Sequence, residues 1–304
     1  MKRVGVVVLS WNGGVQTITC VESVRAQNYL DKFIVLVDNR SRDEERRALT
    51  ARYRDATDVH LQWLDENRGY AGGNNAGIAA ALADRADAVL VLTQDAVLRQ
   101  GALAALVEPA AADARVGIVG PLVIDRTSEQ PLSAGERVAV PLLCVPRTLL
   151  RHRRTHASWY PVTGVLGCAL LLTRRCVEET GGFDEALFAY YEEVDLCLRA
   201  RRRGLEIVCT PHAVVAHDGM RGFLAGFTPL SAELKARNLL HLMRRWATPA
   251  DWLMLGPTYG LLLGASLMLY ALRGRRDIVS ALLRGTAAGL RRRSGGVQTT
   301  VRAG

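Results

Sequence analysis

The sequence predicts an α/β protein with a mainly parallel central β-sheet flanked by helices. Two observations over the first hundred residues support this class: short apolar segments alternate with helical patterns, and the segments are almost continuously apolar. Such strands are typical of parallel sheets that helices cover on both faces. The 304 residues, 49% of them hydrophobic, are also enough to bury a sizeable core.

The elements of the first half follow one another in a regular order. The opening apolar segment, Val4–Leu9, is too short for a signal peptide and is interpreted as a buried strand. In chain order the predicted elements are a strand at 4–10, a helix at 15–26, a strand at 33–39, a helix at 43–54, a strand at 59–64, a glycine-rich turn and helix at 67–83, a strand at 88–95, a helix at 101–112 and a strand at 116–123.

The second half of the sequence is less regular. Residues 125–160 are rich in Pro, Arg and His, and we expect long loops there, either a lid over one edge of the sheet or a solvated basic loop. A strand and a short helix are predicted within 164–183, and an amphipathic helix follows over 187–204, ending at Gly204. The apolar residues of 205–217 predict further strands.

The net charge of +9 is concentrated near the end of the sequence, where eight arginines after Leu272 accompany a single aspartate, Asp277. A basic segment can attract nucleic acid or an anionic membrane. This one has no interleaved aromatic residues and no recognised nucleic-acid motif, so the sequence argues against nucleic acid as a partner. Six scattered cysteines without a CxxC pair indicate reduced thiols in the cytosol.

The segment that precedes the basic stretch favours a membrane. Leu253–Leu272 contains twenty residues without a charge, which is long enough to span a bilayer. Because Pro257 and three glycines interrupt this segment, a re-entrant or surface-lying arrangement is an equal interpretation. A buried pair of C-terminal helices is the alternative.

Polar residues follow several of the predicted strands. Because ligands bind beyond the carboxyl ends of parallel strands, we expect these residues along one edge of the sheet. The sequence has neither a GxGxxG nor a GxxxxGK[ST] pattern there, which argues against a dehydrogenase or a kinase. The polar residues suit a nucleobase, a ribose or a sugar, although each alone is more often a turn former or a cap. They are Asp38, Asn39, Asn67, Asn74 and Asn75.

Acidic residues at two places could carry chemistry. Asp95 ends the predicted strand 88–95 and either helps to hold a divalent cation or only caps a loop. Glu192, Glu193 and Asp195 lie together, and such a group either places a general base near an acceptor hydroxyl or favours a helix N-terminus through its dipole. His217 could complete a metal site, although a lone histidine is more often structural.

Several segments together resemble family 2 glycosyltransferases, and in particular their bacterial rhamnosyltransferase-like members. The resemblance extends from Val4 to Asn238. The segments NRGYAGGNNAG and GGFDEALFAYYEEVDLCLRARRRG are highly specific as a pair. In the family's order the segments are VVVLSWNG, VDNRSRD, NRGYAGGNNAG, LTQDA, GGFDEALFAYYEEVDLCLRARRRG and the pair Arg237–Asn238. The resemblance implies a GT-A fold and inverting transfer of a sugar from a nucleoside-diphosphate donor to an acceptor hydroxyl.

The resemblance also implies roles for individual residues. Glu193 stands at the position of the catalytic base, where the family usually has aspartate, with Glu192 and Asp195 as acceptor-binding or base-supporting residues. Asp95 matches the last acid of the family's DxD motif, and His217 matches a histidine that completes the metal shell in some members. Contacts to the nucleotide sugar are implied for Ser10, Asn12, Asp38, Asn67, Arg68, Gly69, Asn74 and Asp95.

One departure from the family's pattern concerns the metal. Thr93 stands where the DxD motif has its first acid, so that Asp95 and His217 are left to hold Mg²⁺ or Mn²⁺. With a single carboxylate, the ion is expected to be held weakly and to bind mostly together with the donor. Arginines of Arg147–Arg154 could supply part of the charge stabilisation of the diphosphate.

The sequence therefore predicts a GT-A domain over 1–245, with a nucleotide-sugar-binding half at 1–100 and an acceptor-binding half at 101–245, and an apolar, then basic, extension over 246–304. The expected donor is a dTDP-rhamnose-like or UDP-sugar. The expected acceptor is a saccharide or a lipid-linked saccharide of bacterial cell-surface polysaccharide or glycolipid synthesis, used in the cytoplasm at the inner face of the plasma membrane. A non-catalytic sugar-nucleotide-binding scaffold is the alternative, and a homo-oligomer is left open.

Overall fold

The structure is a computed structural model, and it describes residues 2–140, 147–148, 158–218 and 228–291. The strands are β1 (Val4–Ser10), β2 (Lys32–Asp38), β3 (Val59–Trp63), β4 (Ala88–Thr93), β5 (Ala96–Leu98), β6 (Val116–Asp125), β7 (Pro131–Ser133), β8 (Glu136–Arg137), β9 (Arg147–Thr148), β10 (Tyr160–Val162), β11 (Ala169–Thr173) and β12 (Glu206–His217). The α-helices are α1 (Gly14–Arg25), α2 (Asp43–Tyr53), α3 (Gly69–Ala83), α4 (Ala102–Ala112), α5 (Arg174–Thr180), α6 (Glu192–Arg202), α7 (Pro229–Trp246), α8 (Pro249–Leu272) and α9 (Arg276–Leu290).

The chain forms two compact units. The first holds residues 1–137, 148–185 and 192–220, and the second holds residues 138–147, 186–191 and 221–304. The central sheet and helices α1–α6 belong to the first unit, and α7–α9 belong to the second. The division of the chain at residue 245 into a transferase domain and an extension stays a prediction.

The central sheet is mixed, with the strand order β10-β12-β6-β11-β4-β1-β2-β3. Strands β4, β1, β2 and β3 run parallel, as do β6 and β12. Strand β11 lies between β4 and β6 and is antiparallel to both. The predicted α/β architecture with a helix-flanked sheet is confirmed, and the antiparallel strands of the second half are a detail that the sequence pattern does not contain.

The almost continuous apolar character of β1 and β4 follows from burial on both faces of the sheet. Val6 and Val8 belong to one core cluster, whereas Val7 belongs to the other. In β4, Leu90 and Leu92 belong to the first cluster, and Val91 between them belongs to the second. Because successive side chains of a strand point to opposite faces, both strands are apolar up to their last residues, Ser10 and Thr93.

Glycines of the segment NRGYAGGNNAG let helix α3 pack very closely on the sheet. A Cβ atom added to Gly77 would lie 2.5 Å from a side-chain carbon of Val7 and 2.8 Å from one of Val37. One added to Gly73 would lie 2.5 Å from Leu9. Part of this motif therefore serves helix packing, because only glycine permits so short an approach.

Strand β12 is one long strand instead of the several short ones expected over 205–217. Its pairing with β6 shifts register between Thr210 and Val214. Pro211 lies in this interval, and proline within a strand occurs at edges and bulges because it has no N–H to donate. The apolar pattern does not distinguish such a bulged strand from two separate strands.

Helices α7 and α8 of the second unit both begin with a capping box, at Thr228 and Thr248. Helix α8 runs unbroken through Pro257 and the three glycines of the apolar segment. Helices α7, α8 and α9 share one small apolar cluster, to which α8 contributes Tyr270.

The described part of the chain contains one helix, α8, that is long and apolar enough to cross a membrane. A single helix of this kind is weak support for a membrane protein, because core helices pass the same test. However, only 11% of its most apolar window is buried, and Leu253, Leu261 and Leu272 are 82%, 74% and 81% exposed. The described helices therefore do not bury α8 as a core helix.

Some features predicted from the sequence lie outside the described residues. They are the basic loop over Arg151–Arg154, Cys144 and the final arginines Arg292, Arg293 and Arg302. The other five cysteines are free thiols, four of them buried.

Candidate active site

The parallel register brings the ends of three strands to one edge of the sheet in the first unit. Ser10 at the end of β1 lies opposite Asp38 at the end of β2, and Leu9 lies opposite Thr93 at the end of β4. The polar residues that follow these strands therefore share an edge, as the topology rule requires.

Asn39 and Asn67 hold the turn that leads into α3. The amide nitrogen of Asn39 donates to Oδ1 of Asn67 and to the carbonyl of Gly69, each at 3.0 Å, and its oxygen accepts from the backbone N–H of Arg68 at 2.8 Å. Oδ1 of Asn67 also accepts from the N–H of Gly69 at 2.9 Å. Both side chains thus act as turn formers, the alternative that their residue type favours.

Asn75 and Arg68 attach this turn to the segment that begins GGFDE. The Asn75 amide exchanges two hydrogen bonds with the backbone of Phe183, both at 2.9 Å. Arg68 forms an ion pair with Glu185 at 2.9 Å, and Asn75 also donates to Glu185 at 3.1 Å. The two most specific segments of the sequence therefore contact each other in the structure.

Asn12 and Ser10 also have partners within the protein. Asn12 adopts a positive φ of 50°, and its oxygen accepts from the N–H of Arg42 at 2.9 Å. The hydroxyl of Ser10 bonds that of Thr17 at 2.9 Å. The implied roles of Ser10 and Asn12 in nucleotide binding stay predictions, and the contacts seen here order the loop after β1.

Gln94 is a residue whose role sequence reasoning missed. It accepts from the backbone N–H of Trp11 at 2.7 Å and donates to the carbonyl of Trp11 at 3.3 Å. This two-way contact ties the loop after β4 to the loop after β1. The signal that the sequence offered for Gln94 was its position between Thr93 and Asp95 in the segment LTQDA.

Asp38 has one carboxylate oxygen to which no described residue donates a hydrogen bond. The residue is fully buried. Its Oδ2 accepts from Nε of Arg46 at 3.0 Å and from the N–H of Ser41 at 3.2 Å, whereas Oδ1 is buried without a partner in the described part of the chain. A buried, unpartnered acceptor costs free energy unless a ligand supplies the donor.

Asn74 shows the same pattern one helical turn into α3. Its amide nitrogen donates to the carbonyl of Tyr70 at 2.9 Å. Its oxygen is buried and has no hydrogen-bond partner among the described residues. Asp38 and Asn74 thus differ from the asparagines of the turn, whose oxygens are bonded within the protein.

Asp95 and His217 form a close pair on neighbouring strand ends. Strand β5 pairs with β12 so that Ala96 lies opposite His217, and Oδ2 of Asp95 lies 3.2 Å from Nε2 of His217. Burial tends to raise the pKa of Asp95, but the hydrogen bond and charge of His217 outweigh it, and the pKa falls below its usual value.

The Asp95–His217 pair fits a weakly held cation. Ligand atoms 3.2 Å apart can both reach one ion at about 2.1 Å. Among the described residues no group of three or more His, Cys, Asp or Glu side chains could hold a metal. Nδ1 of His217 also has no partner within the described ranges, whereas the second nitrogen of a metal-bound histidine is usually hydrogen-bonded. The described residues thus supply two candidate ligands at this place, fewer than a divalent cation usually takes.

Glu192 and Asp195, two of the acids of α6, occupy different environments. Glu192 is buried, and its Oε2 has no partner within the described ranges. Burial, and then the charge of Glu193, raise the pKa of Glu192 well above its ordinary value. Asp195 pairs with Arg199 at 2.7 Å, so a buried ion pair accounts for Asp195.

Tyr70 and Gly167 lie beside Glu193. The Tyr70 hydroxyl donates to the carbonyl of Gly167 at 2.5 Å, and a Cβ atom added to Gly167 would lie 3.7 Å from Glu193 and 3.6 Å from the Tyr70 oxygen. Burial, followed by the charges of Glu192 and Glu193, raises the pKa of Tyr70 well above its ordinary value. The sequence offered Tyr70 within its most specific segment, but nothing in the pattern linked it to α6.

Cys168 connects the two groups of acids. Burial raises the pKa of its thiol, with further contributions from Asp95 and Glu193. The backbone N–H of Thr93 donates to the carbonyl of Cys168 at 3.1 Å. The residues directly before β11 therefore lie next to the end of β4 on one side and next to Glu193 of α6 on the other, since Gly167 is the neighbour of Glu193.

The arrangement just described agrees with a family comparison. The family model described as glycosyl transferase family 2 matches residues 6–181. The chain belongs to glycosyltransferase family 2. The matched residues include the candidate site residues from Ser10 to Asp95, and Glu193 and His217 follow them.

Curated relatives of this family 2 chain include rhamnosyltransferases. The N-acetylglucosaminyl-diphospho-decaprenol L-rhamnosyltransferase of Mycobacterium tuberculosis is 30% identical over 249 residues, which are 73% of this chain and 80% of the relative. The dTDP-rhamnosyl transferase RfbF of Shigella flexneri is 23% identical and covers 69% of this chain and 67% of the relative.

Solved structures of two glycosyltransferases share the fold. GalNAc-T7, with UDP, GalNAc and Mn²⁺, has a TM-score of 0.66 at 19% identity, and the alignment covers 79% of this chain and 48% of the other. The mannosyltransferase PcManGT of Pyrobaculum calidifontis, with GDP-Man and Mn²⁺, has a TM-score of 0.59 at 19% identity, with 95% and 87% covered. The predicted family, the GT-A fold and the prediction of a glycosyltransferase are confirmed, and the roles of the individual site residues stay predictions.

Proposed function

We propose that this family 2 glycosyltransferase inverts the anomeric centre while it moves a deoxyhexose, with dTDP-rhamnose as the favoured donor, to an acceptor hydroxyl in cell-surface polysaccharide or glycolipid synthesis. The observation that carries the proposal is the convergence, in one unit, of a buried nucleotide-side carboxylate, the Asp95–His217 pair and Glu193. The names of the relatives from Mycobacterium tuberculosis and Shigella flexneri support rhamnose as the sugar.

Asp38 is the proposed anchor for the nucleobase. Its unpartnered, buried Oδ1 needs a donor, and thymine and uracil each present a ring N–H that fits a carboxylate oxygen. Arg46 fixes the other oxygen at 3.0 Å and stacks over Trp63, so the acceptor is already oriented. Ser10, Asn12, Asn67, Arg68, Gly69 and Asn74 are proposed to shape the rest of the donor site.

Asp95 and His217 are the proposed ligands of a divalent cation. Mn²⁺ accompanies UDP and GalNAc in one solved structure with this fold and GDP-Man in the other, and a carboxylate with an imidazole suits Mn²⁺ or Mg²⁺. When bound, the ion would neutralise charge on the diphosphate. Because Thr93 adds no charge, we expect the ion to bind chiefly with the donor.

Glu193 is the proposed general base. An acceptor hydroxyl is a weak nucleophile, and a carboxylate that takes its proton during attack lowers the barrier. The new bond forms between the acceptor oxygen and the anomeric carbon, the bond from that carbon to the diphosphate breaks, and the proton passes to Glu193. A protonated Glu192 would leave Glu193 as the charged acid of the pair.

A panel of nucleoside-diphosphate sugars, each offered with Mg²⁺ or Mn²⁺, tests the donor and the reaction. We expect binding and slow hydrolysis of dTDP-rhamnose and weaker effects with GDP-sugars. Turnover with none of them, in the presence of saccharide acceptors, would favour the scaffold alternative, which Thr93 and Glu193 motivate as departures from the family's pattern.

We also propose that the exposed face of α8 lies against lipid, at the cytoplasmic face of the membrane, where a lipid-linked acceptor would be found.

A double variant, Leu261→Glu with Leu272→Glu, tests this contact. It would place charges at positions that are 74% and 81% exposed, so folding should be unaffected. The binding constant for anionic vesicles, read by flotation, should drop about 100- to 1000-fold, since each of the two leucines contributes on the order of 2 kcal/mol when buried and 1.4 kcal/mol is about tenfold. The fully exposed Leu30 of the first unit supplies the control Leu30→Glu. Equal flotation of both variants would contradict lipid contact.

A further inference from the structure

The segment directly before α6 has an unusual backbone. Within residues 186–191, here called the pre-helix segment, Phe188, Tyr190 and Tyr191 have φ angles of 63°, 73° and 73°. Residues with a side chain rarely adopt this left-handed region, because Cβ approaches the carbonyl oxygen too closely. The chain then continues without a break into Glu192 and Glu193. A strained backbone of this kind persists only where surrounding groups hold it.

Asn238 of α7 supplies such groups. Its amide nitrogen lies 2.8 Å from the carbonyl oxygen of Leu187, 2.8 Å from that of Ala189 and 2.9 Å from that of Tyr190. The residue is 1% exposed, so the contacts are shielded from water. One carboxamide therefore serves three carbonyls of this segment: that of Leu187, the last residue of a short 3-10 helix Glu185–Leu187, and those of Ala189 and Tyr190, which lie outside any helix or strand.

Arg237 orients this carboxamide and extends the contact. Its Nε donates to Oδ1 of Asn238 at 2.8 Å, which turns the amide nitrogen toward the pre-helix segment. Its Nη2 donates to the carbonyls of Ala186 at 3.1 Å and Leu187 at 2.9 Å. Two adjacent side chains thus bind the carbonyls of four of the six residues, and both belong to the same unit as the segment.

We propose that Arg237 and Asn238 are positioning residues: they hold the pre-helix segment in its left-handed conformation and thereby set where α6 begins and where Glu193 is placed. The inference rests on the proposed function only in that Glu193 is the base. It gives a role to the Arg237–Asn238 pair, which the candidate site does not otherwise use.

Asn238→Asp is the sharpest test, because aspartate has the same shape but its carboxylate has no N–H to donate. Asn238→Ala is the second variant. The control is Ile278→Ala on α9. Ile278 is buried in the apolar cluster that α7, α8 and α9 share, and that cluster contains no residue of the pre-helix segment. Hydrogen exchange read by mass spectrometry needs no substrate. We expect the amides of 187–191 to exchange at least about tenfold faster in both Asn238 variants than in the control. Unchanged exchange would overturn the proposal.

Transfer kinetics test the consequence for Glu193. Small displacements of a catalytic group can reduce turnover by about 100-fold, so we expect kcat to fall about 10- to 100-fold in Asn238→Asp with the donor Kd unchanged. Ile278→Ala should stay near the wild type. A fall no larger than that of the control would overturn the positioning role. If the wild type transferred no sugar, the proposed function would be at fault, and exchange alone would decide whether the two residues hold the segment.

Discussion

The turn around Asn39 and the acidic edge around Asp95 use similar polar residues in opposite ways. In the turn, both polar atoms of Asn39 and of Asn75 are hydrogen-bonded within the protein. At the acidic edge, Oδ1 of Asp38, Nδ1 of His217 and Oε2 of Glu192 are buried without a partner in the described residues. Each such atom lowers stability by about 1–3 kcal/mol.

The contrast separates residues that build the site from residues that are available for chemistry. A side chain whose bonds are complete stabilises the loops whether or not a ligand is bound. A buried atom without a partner lowers stability until a ligand contacts it, so such atoms concentrate where binding or proton transfer occurs. Substitutions in the two regions should therefore have different signatures.

The largest effect is expected at Glu193. Glu193→Gln removes the proton acceptor but keeps the size of the side chain, and general-base catalysis contributes about 10²–10⁴-fold. Transfer should fall about 1000-fold in a coupled diphosphate-release assay, and donor affinity should not change. Glu178→Gln, at an exposed position of α5, is the control. Retained transfer in Glu193→Gln would assign the base to another residue.

Asp95→Asn should follow, with about 100-fold lower transfer through lost charge stabilisation of the diphosphate. In the wild type, titration should show weak Mn²⁺ binding without the donor and stronger Mn²⁺ binding in its presence. The variant should bind Mn²⁺ in neither condition. The exposed Asp55→Asn serves as the control. Tight Mn²⁺ binding by the donor-free wild type would contradict a site with two protein ligands.

Asn39→Ala should act on stability first. It breaks three hydrogen bonds and leaves the Arg68 N–H and the Gly69 carbonyl without their partner, so we expect a loss of about 2–3 kcal/mol in the free energy of unfolding. Urea denaturation measures this loss, and the exposed Asn28→Ala should stay within about 0.5 kcal/mol of the wild type. Unchanged stability together with lost donor binding would make Asn39 a ligand-binding residue instead.

The smallest effect is expected for Glu192→Gln. The folded protein raises the pKa of Glu192 above its ordinary value of 4.5, so between the unfolded and folded pKa values the folded state holds a proton that the unfolded state releases. The contribution of this group to stability therefore falls as the pH rises above about 4.5. Glutamine cannot lose a proton, so the variant should lose less stability than the wild type between pH 5 and pH 8.

Thermal unfolding at the two pH values checks this expectation, with Glu178→Gln as the control that keeps the wild-type slope. Transfer should change only about threefold, since the neutral shape is preserved. An identical pH slope in Glu192→Gln and in the wild type would show that Glu192 is not held in its protonated form.

Much of the first hundred residues could be predicted from the sequence. The apolar segments and the helical periodicity located β1–β4 and α1–α3 to within about two residues, because local patterns set these elements. The position of β11, antiparallel between β4 and β6, could not be predicted, because strand order depends on contacts distant in sequence. Pro257 and three glycines left the arrangement of Leu253–Leu272 open in the sequence, whereas the structure has one continuous helix through all of them.

For the candidate site, the sequence by itself determined which residues are candidates for the chemistry, because residue type sets charge, proton affinity and ligand preference. Asp38, Asp95, Glu193 and His217 could all be chosen that way. Only the tertiary structure decided which polar atoms remain without partners, that Asn39 and Asn67 bond each other, and that Asn238 contacts the pre-helix segment. Those outcomes depend on distances of a few tenths of an ångström between groups that are far apart in the chain, and composition and spacing do not contain them.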